Sequence, residues 1–466
     1  MTTSAPAHGA APPRRVAVRR WSPPKHPMEK TPMRVLFTIW PATAHVYPIV
    51  PLAWALQAAG HEVVVASHPA VAPAVNSVGL TAVSLGDETT LPPPLGAGKP
   101  PTAETTRVLD RITRALAIDP ADEHAWRFHR DYMLPAIRDF HPVDVTAQDP
   151  QPLLDELVGF CRSWQPDLVL WDPTMPSSPV AARVSGAAHA RFLWGLDHFT
   201  WARDLFTERT RQPGPALTDE EPQIASLRPM AERYGFEVDD ELLNGQWTVD
   251  PMPTSARLPS GLRTVPMRWV PYSGADVLPP WLYAKPERPR VALSLGASIR
   301  VFSKDSEALI ANLLKALGEL DVEVVATLNQ AQLEGIDHVP DNVRTVDYVP
   351  LAQLLPTCSA LIHHGGYGTM CAAAAANIPQ IVAMDNYQGM EGPLSARFVT
   401  ESGAGLVIRR EAHSAADMQK RIDRVLTEPS FRQGAADIHR DLLATPGPRE
   451  TVSVLEGLTA QYRRSV

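Results

Sequence analysis

"ALIHHGGYGTMCAAAAANIPQIVAM", residues 360–384, holds an apolar run ending in two histidines and a glycine cluster, then an alanine-rich stretch and a second apolar run. Short apolar runs read as buried strands and the alanines as a helix between them, which makes the stretch a right-handed crossover unit of a parallel sheet. In such a sheet ligands bind beyond the carboxyl ends of the strands, where "HHGGYGT" falls. Glycine lets backbone amides approach a ligand, and a helix N-terminus adds unpaired N–H groups with partial positive charge, so a diphosphate fits there without a metal. Thr369 offers a hydroxyl, and a histidine can bond a phosphate oxygen. Taken alone, glycines in this setting more often serve a tight turn, and their spacing departs from the G-x-G-x-x-G of dinucleotide sites.

The same alternation runs along the chain. "RVLFTIW" (34–40) is followed by helically spaced Ile49, Leu52, Ala53 and Leu56, a stop at Gly60 and the strand-like "EVVVAS". "PDLVLWD" (166–172), "PVAARVSGA" and "ARFLWG" repeat the pattern. Proline-rich "VLPPWLYAKPERPR" (277–290) reads as a linker. After it come "VALSLG", "SEALIANLLKALGEL", "VEVVATL", "VRTVDYV", "LIHH" and "PQIVAM", a second half with the architecture of the first but not its sequence. "TVSVLEGLTAQYRRSV" closes the chain as an amphipathic helix.

A length of 466 residues exceeds one ordinary core and points to two domains. Apolar residues make up 44% and charged ones 20%, a globular composition, and the net charge of −8 argues against a nucleic-acid groove. Residues 1–34 are the exception, with seven basic side chains against Glu29 alone; they read as a disordered tail or as the product of an upstream start codon. No run has the length of a signal-peptide core or a membrane span, so a cytoplasmic protein is expected. Cys161, Cys358 and Cys371 are odd in number and lack metal spacing, which fits free buried thiols.

"DNVRTVDYVPLAQLLPTCSALIHHGGYGTMCAAAAANIPQ" (341–380) resembles the nucleotide-sugar half of GT-B glycosyltransferases of family 1, specifically actinomycete enzymes that attach deoxysugars to macrolides and other polyketides. "PLAWAL", "PDLVLWDP", "AARVSGAAHARFLWG" and "RWVPYSGADVLPPWL" extend the resemblance in order from about residue 33 to the C-terminus. It implies an α/β fold of two Rossmann-like, doubly wound domains facing across a cleft, with the C-terminal helix returning to the N-terminal domain. The expected division is a tail at 1–32, an acceptor domain at 33–276, a linker at 277–290, a nucleotide-sugar domain at 291–446 and the terminal helix at 447–466.

The resemblance assigns His364, Gly365, Gly366, Gly368 and Thr369 to the diphosphate, Ser294, Gly296 and Ser298 to the other side of that clamp, and Tyr348, Val349 and Leu351 to the base niche. It makes His45, expected in the loop after the first strand, the general base, and Asp172 the partner that fixes its tautomer. From the residues alone His45 is a surface or capping residue and Asp172, followed by proline, a helix N-cap. In "MDNYQGMEG" (384–392) the slots where relatives carry a sugar-binding carboxylate hold Tyr387, Gln388 and Gly389, with Asp385 and Asn386 alongside, as suits a sugar lacking some hydroxyls. Trp194, Asp197 and His198 are expected on the wall of an acceptor pocket, and acceptor choice in the variable segments 89–105, 126–150 and 199–234.

No Asp-x-Asp pair occurs, so neither a metal nor a cofactor is expected beyond the dTDP-sugar donor. The implied reaction is inverting transfer of a deoxyhexose to a polyketide hydroxyl. A sugar-nucleotide epimerase of the same fold and a non-catalytic sugar-nucleotide-binding partner are the alternatives. A hydrophobic polyketide is the expected acceptor; a cytochrome-like activator protein and a homodimer are left open.

Overall fold

The computed structural model describes residues 31–92, 101–140, 145–212, 217, 219–296, 307–384, 391–411 and 413–464. Residues 1–30 of the tail expected at 1–32, Ser298, and the sugar-site quartet Asp385, Asn386, Tyr387 and Gln388 lie outside them.

The first sheet comprises β1 (Arg34–Thr38), β2 (Glu62–Ser67), β3 (Thr81–Ser84), β4 (Leu168–Trp171), β5 (Ala188–Phe192), β6 (Trp247–Asp250) and β7 (Thr264–Pro266). The second comprises β8 (Arg290–Ser294), β9 (Glu323–Thr327), β10 (Val343–Val346), β11 (Ala360–His363), β12 (Gln380–Met384) and β13 (Gly405–Arg409). All neighbouring strands are parallel, in the orders β3-β2-β1-β4-β5-β6-β7 and β10-β9-β8-β11-β12-β13. Both are doubly wound, and each reverses direction once, between β1 and β4 and between β8 and β11. Those reversals open crevices at the carboxyl ends of the strands.

The runs that form these strands are apolar because both faces are covered. β4 and β8 are buried at every position. On the first sheet one face carries Val35, Phe37, Leu168 and Leu170, and the other Leu36, Val169 and Trp171, in separate cores. The second sheet divides likewise, Val291 and Leu293 on one face and Ala292 and Leu361 on the other.

Five helices bear on the site: α1 (Thr43–Ala58), α2 (His198–Arg211), α3 (Tyr367–Ala376), α4 (Gly392–Glu401) and α5 (Pro448–Tyr462). α5 places Val452, Leu455 and Leu458 in the first sheet's core beside Val46, Ile49 and Ala53 of α1, so the C-terminal helix returns to the N-terminal lobe. A further core joins the lobes, with Phe128, Phe199, Trp201 and Trp269 meeting Tyr367, Met370 and Cys371.

Two expectations change. The segment 277–290 is not bare linker, since Pro280–Tyr283 form a helical turn and Arg290 opens β8. His45 is not in a loop: α1 begins at Thr43, with Pro48 and Pro51 inside it. Proline removes an N–H and crowds the preceding turn, yet α1 runs on through both.

Candidate active site

The crevice of the first sheet holds a histidine and an aspartate 127 residues apart in sequence. β1 and β4 lie side by side, Thr38 opposite Trp171, so the chain leaving β1 into α1 and the chain leaving β4 meet. His45 Nδ1 donates to Asp172 Oδ2 at 2.5 Å, with both residues buried. Asp172 Oδ1 accepts from Thr174 N (2.9 Å), Thr174 Oγ1 (2.7 Å) and Trp194 Nε1 (3.1 Å), and Oδ2 also accepts from Trp40 N at 3.4 Å. Burial pushes this carboxyl's pKa up, but the charge of His45 and the hydrogen bonds from His45 and Thr174 outweigh it and hold the group below its ordinary value. Asp172 is therefore an ionised carboxylate that fixes the tautomer of His45 and leaves Nε2 as the nitrogen able to take a proton. The indoles of Trp194 and Trp40 flank the imidazole, with centroids 4.5 Å and 5.5 Å away.

The second crevice lies beyond β8 and β11. His363 ends β11, and its Nδ1 accepts the Gly365 N–H at 3.1 Å, while Ser395 Oγ donates to the Gly365 carbonyl at 2.5 Å. Gly365 has φ +99°, and a Cβ there would stand 2.6 Å from Gly392 Cα, so the turn and the start of α4 touch where only glycine fits. The two histidines thus differ. His363 is fully buried and shapes the turn, while His364 enters the cradle.

The His364 ring lies between Gly296 and Gly366: a Cβ on Gly296 would stand 2.2 Å from Cε1, and one on Gly366 2.6 Å from Nε2. Burial depresses its pKa to about 4, offset in part by the Ser294 backbone, so near pH 7 it is a neutral imidazole. Its Nδ1 is buried with no hydrogen-bond partner among the described residues. Beside it α3 begins at Tyr367 after the N-cap Gly366, which has no side chain to bond the first amides; the Glu391 carboxyl engages the Tyr367 N–H, and Gly368 and Thr369 lie on that turn, Gly368 exposed and Thr369 partly so. Neutral donors and a helix N-terminus suit a phosphate.

The other expected residues separate. Ser294 Oγ accepts the Thr327 hydroxyl at 3.0 Å, and its backbone bonds the His364 ring. Tyr348, half-exposed, donates its hydroxyl to the Ser273 carbonyl. Leu351 donates its N–H to Ser273 Oγ at 3.0 Å, so that amide is not open to a base edge, and Val349 is buried. Asp197 lines a small cavity with Leu193, Leu196 and Arg257, while its carboxylate pairs with Arg191 at 2.9 and 2.7 Å and caps α2 through Thr200 N. His198 is buried, and its Nε2 meets Tyr367 Oη across the lobes at 2.9 Å. Trp194 does reach the site, bonded to Asp172. Among the described residues no cluster of His, Cys, Asp and Glu could hold a metal, and no helix is long and apolar enough to cross a membrane.

Sequence reasoning missed Glu391. It precedes α4, and its Oε1 lies 3.6 Å from where a Gly366 Cβ would be. Burial raises its pKa, while its own N–H, the charge of His45 and the Tyr367 N–H act to lower it, so it stands between the imidazole of one lobe and the helix start of the other. The "MEG" in the 384–392 stretch was its one signal.

Comparison with known proteins agrees with the two-lobed fold. The chain matches the N-terminal domain described as "Erythromycin biosynthesis protein CIII-like" over residues 54–296 and the corresponding C-terminal domain over 311–458. It is 41% identical over 433 residues to the aclacinomycin-T 2-deoxy-L-fucose transferase of Streptomyces galilaeus, covering 93% of this chain and 97% of that one. It is 40% identical over 432 residues to the 3-alpha-mycarosylerythronolide B desosaminyl transferase of Saccharopolyspora erythraea, covering 92% and 99%. Among solved structures, glycosyltransferase VinC in complex with dTDP superposes with a TM-score of 0.74 at 33% identity, over 92% of this chain and all of that one. Two doubly wound lobes, the crevices they open and these relatives together place the chain in the EryCIII-like family of GT-B glycosyltransferases.

Proposed function

We propose that this glycosyltransferase moves a deoxyhexose from a dTDP-sugar to a hydroxyl of a macrolide or aromatic polyketide aglycone, with inversion and without a metal. The observation that carries the reading is the buried His45–Asp172 pair at one switch point, with a glycine-capped helix start and the neutral His364 at the other. His45 Nε2 takes the proton of the acceptor hydroxyl. The oxygen bonds the anomeric carbon as the bond from that carbon to the diphosphate breaks, and dTDP leaves. Asp172 stabilises the imidazolium, and the amides of α3 with His364 and Thr369 stabilise the charge on the leaving oxygen. Glu391 faces the sugar between them.

Relatives named for moving 2-deoxy-L-fucose and desosamine support a deoxysugar donor, and the dTDP complex of VinC supports the nucleotide. The enzyme acts in the cytoplasm in this reading. The test incubates purified protein with dTDP-deoxysugars and a panel of macrolide and aromatic aglycones, with and without a cytochrome-like partner, and detects glycosides by mass spectrometry. A glycoside of inverted anomeric configuration that His45→Ala no longer makes is expected. Conversion of the sugar nucleotide without any aglycone would instead indicate an epimerase.

A further inference from the structure

Tyr367 occupies two places at once. Its backbone opens α3, whose first amides form the cradle, while its side chain lies in the core between the lobes. There the hydroxyl meets His198 Nε2 at 2.9 Å, and both side chains are buried. The acceptor-lobe segment beneath is cut to admit the ring, for a Cβ on Gly195 would stand 2.4 Å from Tyr367 Cδ2. Phe128 packs edge-on against both rings, its centroid 4.7 Å from His198 and 6.3 Å from Tyr367.

The segment that carries Gly195 and His198 also carries Trp194, which bonds Asp172 and lies against His45. A path therefore runs from the start of α3 through the Tyr367–His198 hydrogen bond, along the backbone from His198 to Trp194, and on to the His45–Asp172 pair. His198 is not a second base. Burial depresses its pKa to about 3, so it stays neutral, and its Nδ1 is enclosed.

We propose that Tyr367 and His198 form a positioning pair, whose single hydrogen bond across the lobes sets the alignment of the general base with the anomeric carbon held above α3. The pair touches neither the sugar nor the acceptor hydroxyl. It acts through the helix that grips the diphosphate and the loop that holds Trp194, and so rests on the assignment of the α3 amides to the donor.

The test is a double-mutant cycle on Tyr367→Phe and His198→Leu, reading kcat for glycoside formation and, separately, dTDP affinity by calorimetry. Tyr367→Phe deletes one oxygen and keeps the ring in its slot. His198→Gln carries an amide to the place of Nε2 and serves as the conservative replacement. Each of Tyr367→Phe and His198→Leu should lower kcat about tenfold, the scale of one buried hydrogen bond, with dTDP affinity within about twofold of the parent. The double variant should be no slower than either single one, and His198→Gln should keep most of the rate. Losses that multiply in the double variant, an unchanged kcat in Tyr367→Phe, or a His198→Gln as slow as His198→Leu would overturn the pair. Should His198→Leu not fold, Tyr367→Phe with and without His198→Gln decides: once Tyr367→Phe has removed the hydroxyl, the glutamine must no longer matter. Failure of the underlying reading looks different, because Gly366→Ala would then leave dTDP affinity unchanged whatever the cycle shows.

Discussion

Replacing Asp172 by asparagine tests the base directly, because the structure dictates how the amide must sit. The Oδ1 position receives two hydrogen bonds from Thr174 and one from Trp194, of which the backbone and indole N–H groups cannot reverse. The amide oxygen therefore stays there and the NH₂ group takes the place of Oδ2, facing His45 Nδ1. To avoid two opposed donors at 2.5 Å, His45 must change tautomer, accept at Nδ1 and carry its proton on Nε2. The imidazole then points a donor at the acceptor hydroxyl and cannot receive its proton. The ion pair with the imidazolium is lost as well, which at charge centres about 4 Å apart and an effective dielectric near 20 is roughly 4 kcal/mol, or about 10³-fold. With the tautomer included, Asp172→Asn should lower kcat by on the order of 10³- to 10⁴-fold. Initial rates at saturating donor and aglycone measure this, with dTDP affinity as the control that should not move. A variant within about tenfold of the parent at neutral pH would refute a histidine base steered by Asp172.

Three further outcomes follow from the donor side and the buried histidines. Gly366→Ala drives a methyl into the His364 ring, which Gly296 blocks on its other side, so calorimetry should show dTDP affinity reduced by about tenfold or more. Glu391 stands beside the cradle with its pKa raised by burial, so it takes up a proton more readily than an exposed glutamate as pH falls; a dTDP-sugar, whose esterified diphosphate keeps its charge, should then bind more tightly, and Glu391→Gln should flatten that trend in calorimetric affinity. Burial holds His129, His198 and His363 at about 3 and His364 at about 4, so their contribution to stability is complete above the unfolded value near 6.5 and is lost as pH falls toward those figures. Asp250, raised to about 6 by burial, and the raised Glu221 and Glu391 act in the opposite sense. Urea unfolding should accordingly show a net loss of stability from pH 6.5 to 5, and constant stability would contradict the buried neutral imidazoles.

The parts of the fold that could be read in advance are those where burial on two faces forces an uninterrupted apolar run, as in β1, β4, β8, β11 and β12. β6 and β7 escaped because Trp247–Asp250 and Thr264–Pro266 are short and mix polar with apolar residues, and they are fixed by pairing, β6 on β5 and β7 on β6. In the site, the glycines of 365–368 announced a cradle, but the reasons for two of them are tertiary: Gly392 presses on Gly365, and the His364 ring on Gly366. For Asp197, nothing local marks Arg191, buried within β5, as its partner. His198 and Tyr367 are 169 residues apart, and no periodicity links them.

The two crevices resolve opposite charge problems by different means, and this explains why the topology repeats while the residues do not. Proton transfer to His45 creates a cation in a buried place, which demands a full counter-charge, and Asp172 supplies it with hydrogen bonds enough to stay ionised under burial. Departure of the diphosphate instead moves negative charge that is already present, so a fixed cation would hold donor and product alike and gain little for the transition state. The described part of the cradle accordingly consists of neutral groups, namely the first amides of α3, Thr369 and an imidazole kept uncharged near pH 7, which respond to charge growing on one oxygen. Glu391 sharpens the contrast, because a carboxylate beside the cradle opposes excess affinity for a free diphosphate, whereas a sugar lying between the two lessens its effect. A second lobe lined like the first would trap its product, and a first lobe lined like the second would leave its imidazolium unsupported.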